Sequence, residues 1–253
     1  MCPLAGKAIG IPRMVAHCLL LETERDGLIL VDSGFGTRDV DGSSGLPGAF
    51  RRLVRPALDQ AETAIARVQA LGFATRDVRH VVVTHLDLDH AGGISDFPDA
   101  TIHLHAREHA AAMSPATMRE RERYRKAHWA HGPKWAVYTE DGDTWRGLPA
   151  IAKLRGIDAD VGLLPMHGHT RGHSAVIANA GDRWLVHAGD AYFHRNAVGV
   201  GKVPLALRAF ETFVETDKPA RRASASALRQ LRASYPDIAL FCAHDTEEFA
   251  ALA

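Results

Sequence analysis

Cysteine is scarce, with three in 253 residues at Cys2, Cys18 and Cys242, an odd number at scattered spacings. No disulfide framework is implied, and Cys18 and Cys242, set in apolar strand-like runs, read as buried thiols. Long apolar runs are missing as well, so nothing in the chain is expected to span a bilayer. Met1-Cys2-Pro3-Leu4 lacks the charged-then-apolar form of a signal peptide. The compartment expected on those grounds is the cytoplasm. Nor is there an excess of either charge: 30 Lys+Arg balance 30 Asp+Glu. That balance advertises neither a nucleic acid nor a membrane surface as partner. Finally, the sequence holds no G-x-S-x-G elbow and no thiol set beside a histidine by motif, so a nucleophile supplied by the protein is not expected.

What the chain has in quantity is histidine, 15 residues, which directs attention to metal. The stretch that matters most is Val81-Val82-Val83-Thr84-His85-Leu86-Asp87-Leu88-Asp89-His90-Ala91-Gly92-Gly93. A β-branched run reads as a buried strand, and it delivers His85, Asp87, Asp89 and His90 at its mouth. Two carboxylates and two imidazoles packed together repel one another and lose hydration unless cations sit among them. Gly92 and Gly93 would let the backbone pass close to what those ligands hold. A polar strand-end loop facing water is the plain alternative.

Around that stretch, Met14 to Glu22 and Gly27 to Val31 read as a hairpin with an Asp-Gly turn, followed by Asp32-Ser33-Gly34. Residues 56–71 carry apolar side chains near helical spacing, with Gly72 as the stop. Residues 100–105 read as a strand and 107–113 as a helix. Segment 114–131, dense in charge from Arg119 to Lys126 and then bearing His128, Trp129, His131 and Trp135 beyond it, reads as a solvated helical insert or as a lid over a pocket; the insert is drawn at 114–150. Strands are expected at 161–166, 174–179, 184–187 and 238–243, with a helix at 220–233. No repeat or linker divides the chain, so 1–253 is read as a single α/β or α+β domain of layered sheets.

Three of the later predicted strands end in further ligands. Gly168-His169-Thr170, Gly189-Asp190 and Cys242-Ala243-His244 each place one at a carboxyl end, where layered folds gather their sites. The ordered set His85-x-Asp87-x-Asp89-His90, Gly168-His169-Thr170, Gly189-Asp190 and His244, with Leu30-Val31-Asp32-Ser33-Gly34 before it, resembles the metallo-β-lactamase-fold hydrolase superfamily. The resemblance covers nearly the whole chain. It implies a four-layer αββα sandwich of two mixed sheets with outer helices, and two divalent transition-metal ions. The first would take His85, Asp87 and His169, the second Asp89, His90 and His244, with Asp190 bridging. Zinc comes first among the metals, with manganese or iron admitted by Asp87. Such a pair lowers the pKa of water from 15.7 to around 7 and polarises the carbonyl under attack.

One position departs from the family's commonest pattern, which has His where this chain has Asp87. Three carboxylates, two divalent ions and a hydroxide sum to zero, whereas His in that place leaves plus one. A less electrophilic pair, shifted toward manganese or iron, follows from that count. The competing reading has Asp87 too short to bind, with only one metal held tightly.

The resemblance implies a metal-dependent hydrolase using metal-bound hydroxide on a small ester, lactones first, then thioesters or β-lactams, with Asp89 shuttling the proton. In the family's lactone-cleaving branch a tyrosine shortly after the bridging Asp holds the substrate carbonyl. Tyr192 and His194 are carried as acid or oxyanion candidates, although Tyr192 stands at a different offset. His103 and His105 share a strand face and read as structural, His17 as a core residue. His167 and His173 flank the loop ligand, and Asp32 and Asp245 are candidates to orient imidazoles. The expected partner is a small-molecule substrate, and a homodimer is admitted. Two other function classes stay open: a phosphodiesterase or nuclease of this fold, and a non-catalytic ligand-binding protein.

Overall fold

The computed structural model describes residues 2–4 and 13–252; Met1 and the thiol of Cys2 lie outside what is described. A short antiparallel pair, β1 (Cys2–Leu4) and β2 (Met14–Ala16), precedes the main sheets. The first sheet holds, in spatial order, β3 (Leu19–Glu22), β4 (Leu28–Val31), β5 (Val78–Val82), β6 (Thr101–His105) and β7 (Lys134–Tyr138). Its β3–β4 pair is the antiparallel hairpin, and the remaining pairs are parallel. Gly27, at φ +71°, supplies the left-handed residue that the Asp-Gly turn requires. After the small ribbon β8 (Thr144–Trp145) and β9 (Leu148–Pro149) comes the second sheet. It holds β10 (Val161–Pro165), β11 (Ser174–Asn179), β12 (Trp184–His187) and β13 (Ile238–Phe241), of which only the last pair is parallel.

Strand alternation explains why these sheets stack. Ile29, Val31 and Val82 face inward against Leu163, Val176 and Ala178 of the opposite sheet, forming the layer between the two. Their neighbours Leu28, Leu30, Val81 and Val83 face outward, under the helices Ala64–Ala70 and Ala106–Met113. On the far side Leu164, Ala175, Ile177 and Val186 pack under Leu228 and Leu231 of the helix Lys218–Ser234. Two-sided burial of this kind makes helix, sheet, sheet and helix four successive layers, and each fully buried aliphatic side chain contributes about 1.5–3 kcal/mol.

Three stretches differ from expectation. The segment from Met14 to Glu22 is two strands, because β2 leaves the hairpin to run beside the end of β13, where His17 donates its amide to Ala243 at 2.9 Å. The helix expected from 56 starts at Ala64 instead. Leu58 sits at φ +48°, and the Thr63 hydroxyl accepts from the Ala66 amide at 3.3 Å, a cap that fixes the start. Within 114–150, Lys134–Tyr138 is the edge strand of the first sheet, paired with β6 from Thr101 to His105, so the extra segment is shorter than drawn. Among the described residues, no helix is long and apolar enough to cross a membrane.

Candidate metal centre

The loops that leave β4, β5, β10, β12 and β13 meet at one edge of the sandwich, and seven side chains from them converge. His85 Nε2 lies 3.4 Å from Asp87 Oδ2 and 3.8 Å from Asp190 Oδ2. His169 Nε2 lies 3.0 Å from Asp87 Oδ2 and 3.2 Å from Asp190 Oδ2. The other carboxylate oxygen of Asp190 faces the other way, 3.3 Å from His90 Nε2 and 3.0 Å from His244 Nε2. Asp89 stands beside those two imidazoles at 3.9 and 3.8 Å. Asp190 therefore divides the cluster into two halves, one oxygen to each. It is held well below the usual carboxylate range: burial works against its ionisation, and His244, His90 and His169 outweigh that.

Whether these residues suit a metal is decided by the outer ring nitrogens, since their partners set which inner nitrogen keeps a lone pair. His244 Nδ1 lies 2.7 Å from the Val15 carbonyl, which can only accept, so Nδ1 carries the hydrogen. His90 Nδ1 donates in the same way to Asp32 Oδ2 at 2.8 Å. The Thr84 hydroxyl gives its hydrogen to Asp32 Oδ2 at 2.8 Å and so accepts from His85 Nδ1 at 2.9 Å. The three Nε2 atoms therefore face the carboxylates; burial opposes a charge on His90 and His244, but Asp190 outweighs it and raises both, so their Nε2 atoms hold a proton that a cation would displace. Those of His85 and His90 are buried with no hydrogen-bond partner. Nε2 atoms able to trade a proton for a metal among three carboxylates suit divalent cations, so the donor set fits. His169 Nδ1 has no partner either; its ring meets His85 edge-on and Phe193 at a tilt.

Four neighbours support the cluster. Asp32, at φ +54°, also accepts the Thr84 amide at 2.8 Å and so acts as the orienting acid. His173 donates from Nδ1 to the Met166 carbonyl at 2.8 Å and accepts the Asp190 amide at 2.9 Å, tying that bridge to the Gly/His loop. Glu108, fully buried, accepts from the Leu86 amide, the Tyr124 hydroxyl, the Thr170 hydroxyl and the Gly172 amide at 3.0, 3.1, 2.6 and 3.1 Å, and so clamps two ligand loops together. Arg123, at the end of the helix Met118–Arg123, places Nε 3.2 Å from Asp87 Oδ1 and donates Nη1 to the His169 carbonyl at 2.8 Å. Its Nη2 donates to the Val214 carbonyl. Burial opposes a charge on Asp87, yet the Arg123 guanidinium, with His85 and His169, holds its carboxyl well below the usual range. Gly92 and Gly93 pack against the backbone of Gly34 and Ser33, where a Cβ would come within 2.7 and 2.6 Å of their carbonyl oxygens, so the glycines serve the approach of that loop.

The structure places the catalytic candidates unequally. Asp89 borders the open cavity beside the cluster. Tyr192 corrects the expectation made of it: its hydroxyl is buried 3.2 Å from both oxygens of Glu248, inside the second sheet's core, and does not border that cavity. His194 is corrected likewise, since its Nδ1 accepts the Asn196 amide at 3.1 Å as the cap of a short turn. Asp245 caps the helix Thr246–Ala250 and binds Arg195 rather than orienting an imidazole. His103 bonds His80 at 2.9 Å and the Tyr138 hydroxyl at 2.9 Å, a structural role between the sheets, and burial beside His80 lowers it to about 3. His17 packs on Phe241 and is lowered to about 3 by burial first.

One more group of ligand-type residues lies nearby. His105 and His167 both face Glu140, at 3.1 and 3.4 Å. Here the outer nitrogen argues the other way. His105 Nδ1 accepts the Arg107 amide at 3.1 Å, as the cap of the helix Ala106–Met113, so its Nε2 carries the hydrogen toward Glu140. His105 Nε2 meets Glu140 without hydrogen-bond geometry, and only His167, whose Nδ1 faces the His173 carbonyl at 3.2 Å, has its Nε2 set for a cation, so the group offers one imidazole ligand beside an exposed carboxylate.

The cavity beside the seven residues encloses ≈ 370 Å³. Phe50, Leu53, Phe193, Phe210, Phe213 and Val214 form its apolar wall, and Arg119, Glu122 and Arg123 of the charged segment border it from another side. Sequence reading missed Arg123, Glu108 and this wall. Arg123 lay hidden in a run of charges, and an amphipathic spacing in Leu205–Val214 was the one signal for Phe210 and Phe213.

Comparison with known proteins agrees with the geometry. The family model of the metallo-beta-lactamase superfamily matches residues 11–244. A probable metallo-hydrolase of Mycobacterium tuberculosis is 45% identical over 242 residues, covering 95% of this chain and 77% of that one. The N-acyl homoserine lactonase AttM of Rhizobium johnstonii is 29% identical over 157 residues, 62% of this chain and 57% of that one. A solved N-acyl homoserine lactone hydrolase, with the product N-hexanoyl-L-homoserine at its catalytic metal center, superposes with a TM-score of 0.69 at 23% identity over 98% of this chain and 88% of that one.

Proposed function

The chain belongs to the metallo-beta-lactamase superfamily and has its fold, and from that premise we propose that it is a dinuclear metal-dependent hydrolase that opens lactones bearing an apolar tail. The observation that carries this reading is Asp190, one oxygen turned to His85 and His169 and the other to His90 and His244. His85, Asp87 and His169 would hold one cation and Asp89, His90 and His244 the other, zinc first and manganese or iron admitted. Bound there, divalent cations bring a water toward neutral pKa and polarise an ester carbonyl.

The chain's own residues supply the rest. Asp89 borders the cavity and in this reading would take the proton of the attacking water and pass it to the leaving ring oxygen. Water adds its hydroxyl to the acyl carbon, the ring C–O bond breaks, and a hydroxy acid results. The wall of Phe50, Leu53, Phe193, Phe210 and Phe213 suits an acyl chain. A nucleic-acid phosphodiester would ask for a basic approach instead. The lactonases among the relatives point the same way.

The test begins with protein purified without added metal, which should carry about two transition-metal ions per chain. Chelation should abolish opening of N-acyl lactones, zinc or manganese should restore it, and a longer acyl chain should lower KM. Turnover of phosphodiesters but not lactones would move the assignment to the other reaction. Bound metal with no turnover of lactone, thioester, β-lactam or phosphodiester would favour a binding protein.

A further inference from the structure

Arg123 holds a position that the proposed metal centre does not by itself require. It belongs to the charged segment before β7, yet its side chain is only 10% exposed, and its ion pair and hydrogen bonds go to Asp87, His169 and Val214, which all border the cavity. Nε faces Asp87 Oδ1 at 3.2 Å, Nη1 donates to the His169 carbonyl, and Nη2 donates to the Val214 carbonyl. Asp87 is thus shared: Oδ1 goes to the guanidinium, while Oδ2 stays among the inner nitrogens of His85 and His169. A buried guanidinium is costly unless a carboxylate answers it, and a carboxylate added to a cluster that already holds Asp89 and Asp190 is costly unless a cation answers it. Each is the solution to the other.

We infer that Arg123 is the counter-charge to Asp87, so that the Asp87–Arg123 pair stands in for a single neutral histidine at this place in the metal centre. The inference rests on the reading of the seven residues as a metal centre. It changes the charge count made from the sequence. With the guanidinium included, three carboxylates, one arginine, two divalent ions and a hydroxide leave plus one, the value of a site with histidine there. The pair is a charge-neutral exchange, and the lower electrophilicity expected from Asp87 alone disappears. Arg123 is a positioning residue in this account, because it acts through Asp87 and the His169 backbone.

Zinc affinity, measured by competition with a chromophoric chelator on metal-free protein, tests this without any substrate. Relative to wild type, Asp87→His leaves the arginine unanswered and should weaken zinc binding at the first site by about tenfold or more. Arg123→Gln leaves the carboxylate unanswered and should tighten it by a comparable factor. The double variant should return to within about threefold of wild type, since two opposite charges have then been removed together. Arg123→Lys, which keeps the charge and loses the fork, should also stay within about threefold.

If Arg123→Gln and Asp87→His both lose zinc and the double variant loses more, Arg123 is a packing element and the inference falls. Arg123→Lys behaving like Arg123→Gln overturns it as well, by showing that fork geometry rather than charge matters. Failure of wild type to bind zinc would instead remove the metal-centre reading beneath it.

Discussion

Among the described residues, two neighbouring histidine–carboxylate groups differ in what stands behind their imidazoles. In the seven-residue cluster, the outer nitrogens of His85, His90 and His244 donate to Thr84, Asp32 and Val15, which leaves the inner nitrogens facing the carboxylates, where a cation would take the place of a proton. In the group of His105, Glu140 and His167, His105 spends its outer nitrogen accepting an amide, and so presents a hydrogen where a ligand would need a lone pair. Distances alone do not separate the two: 3.1 Å between His105 and Glu140 matches anything in the cluster. What separates them is one bond further out. An acceptor stands behind His85, His90 and His244 in the cluster; in the other group only His167, with the His173 carbonyl at 3.2 Å, is so placed, and the amide behind His105 makes it a donor.

The largest effect expected from this contrast is at Asp190. Asp190→Ala removes the oxygen shared by both halves and should take metal content from about two ions per chain to below one, by elemental analysis. His169→Ala, confined to one half, should lose about one ion, and full occupancy in that variant would remove His169 from the ligand set. Next comes the bond behind the ring: Asp32→Leu should cost about 10- to 100-fold in metal affinity without touching any ligand atom. On the cavity side, Phe210→Ala should raise KM for a long-chain lactone by about tenfold and leave kcat nearly unchanged.

A smaller effect is expected from the buried histidines between the sheets. Burial lowers His103 to about 3, below its unfolded value of 6.5. The stability that its neutral form contributes is therefore complete above pH 6.5 and is lost as pH falls toward 3. One such proton steepens the acid limb by about 1.4 kcal/mol per pH unit in urea titrations of the metal-free protein, and His103→Gln should flatten it by that amount. The smallest effect completes the comparison: Glu140→Gln should leave metal content unchanged, and a lost ion there would make the second group a metal site after all.

The sequence made the ligand cluster and the alternation of the sheet strands readable, because both depend on local spacing. His85, Asp87, Asp89 and His90 lie within six positions, and Val81 to Val83 show their two-residue period directly. Long-range partners were not readable. Arg123 reaches Asp87 across a gap that no periodicity encodes, and Glu108 gathers four hydrogen bonds from three separate segments while looking like any helical glutamate. Tyr192 failed as a candidate for a related reason. Its distance along the chain from Asp190 suggested the site, but the sheet turned it toward Glu248. Lys134–Tyr138 is only five residues long and begins with a lysine just after Gly132-Pro133, so no local period marks it as a strand.

Asp32 offers no oxygen to the middle of the cluster, yet it answers to both halves. It receives His90 directly and His85 through the Thr84 hydroxyl. An ion that arrests His90 therefore stills that carboxylate, and the hydroxyl and second imidazole hanging from it settle in turn. The next ion then meets a ring whose ordering has already been done, so filling should be cooperative, with half-loaded molecules rarer than chance would allow. A single acid on a left-handed turn would in that way couple two cations that never share a contact with it.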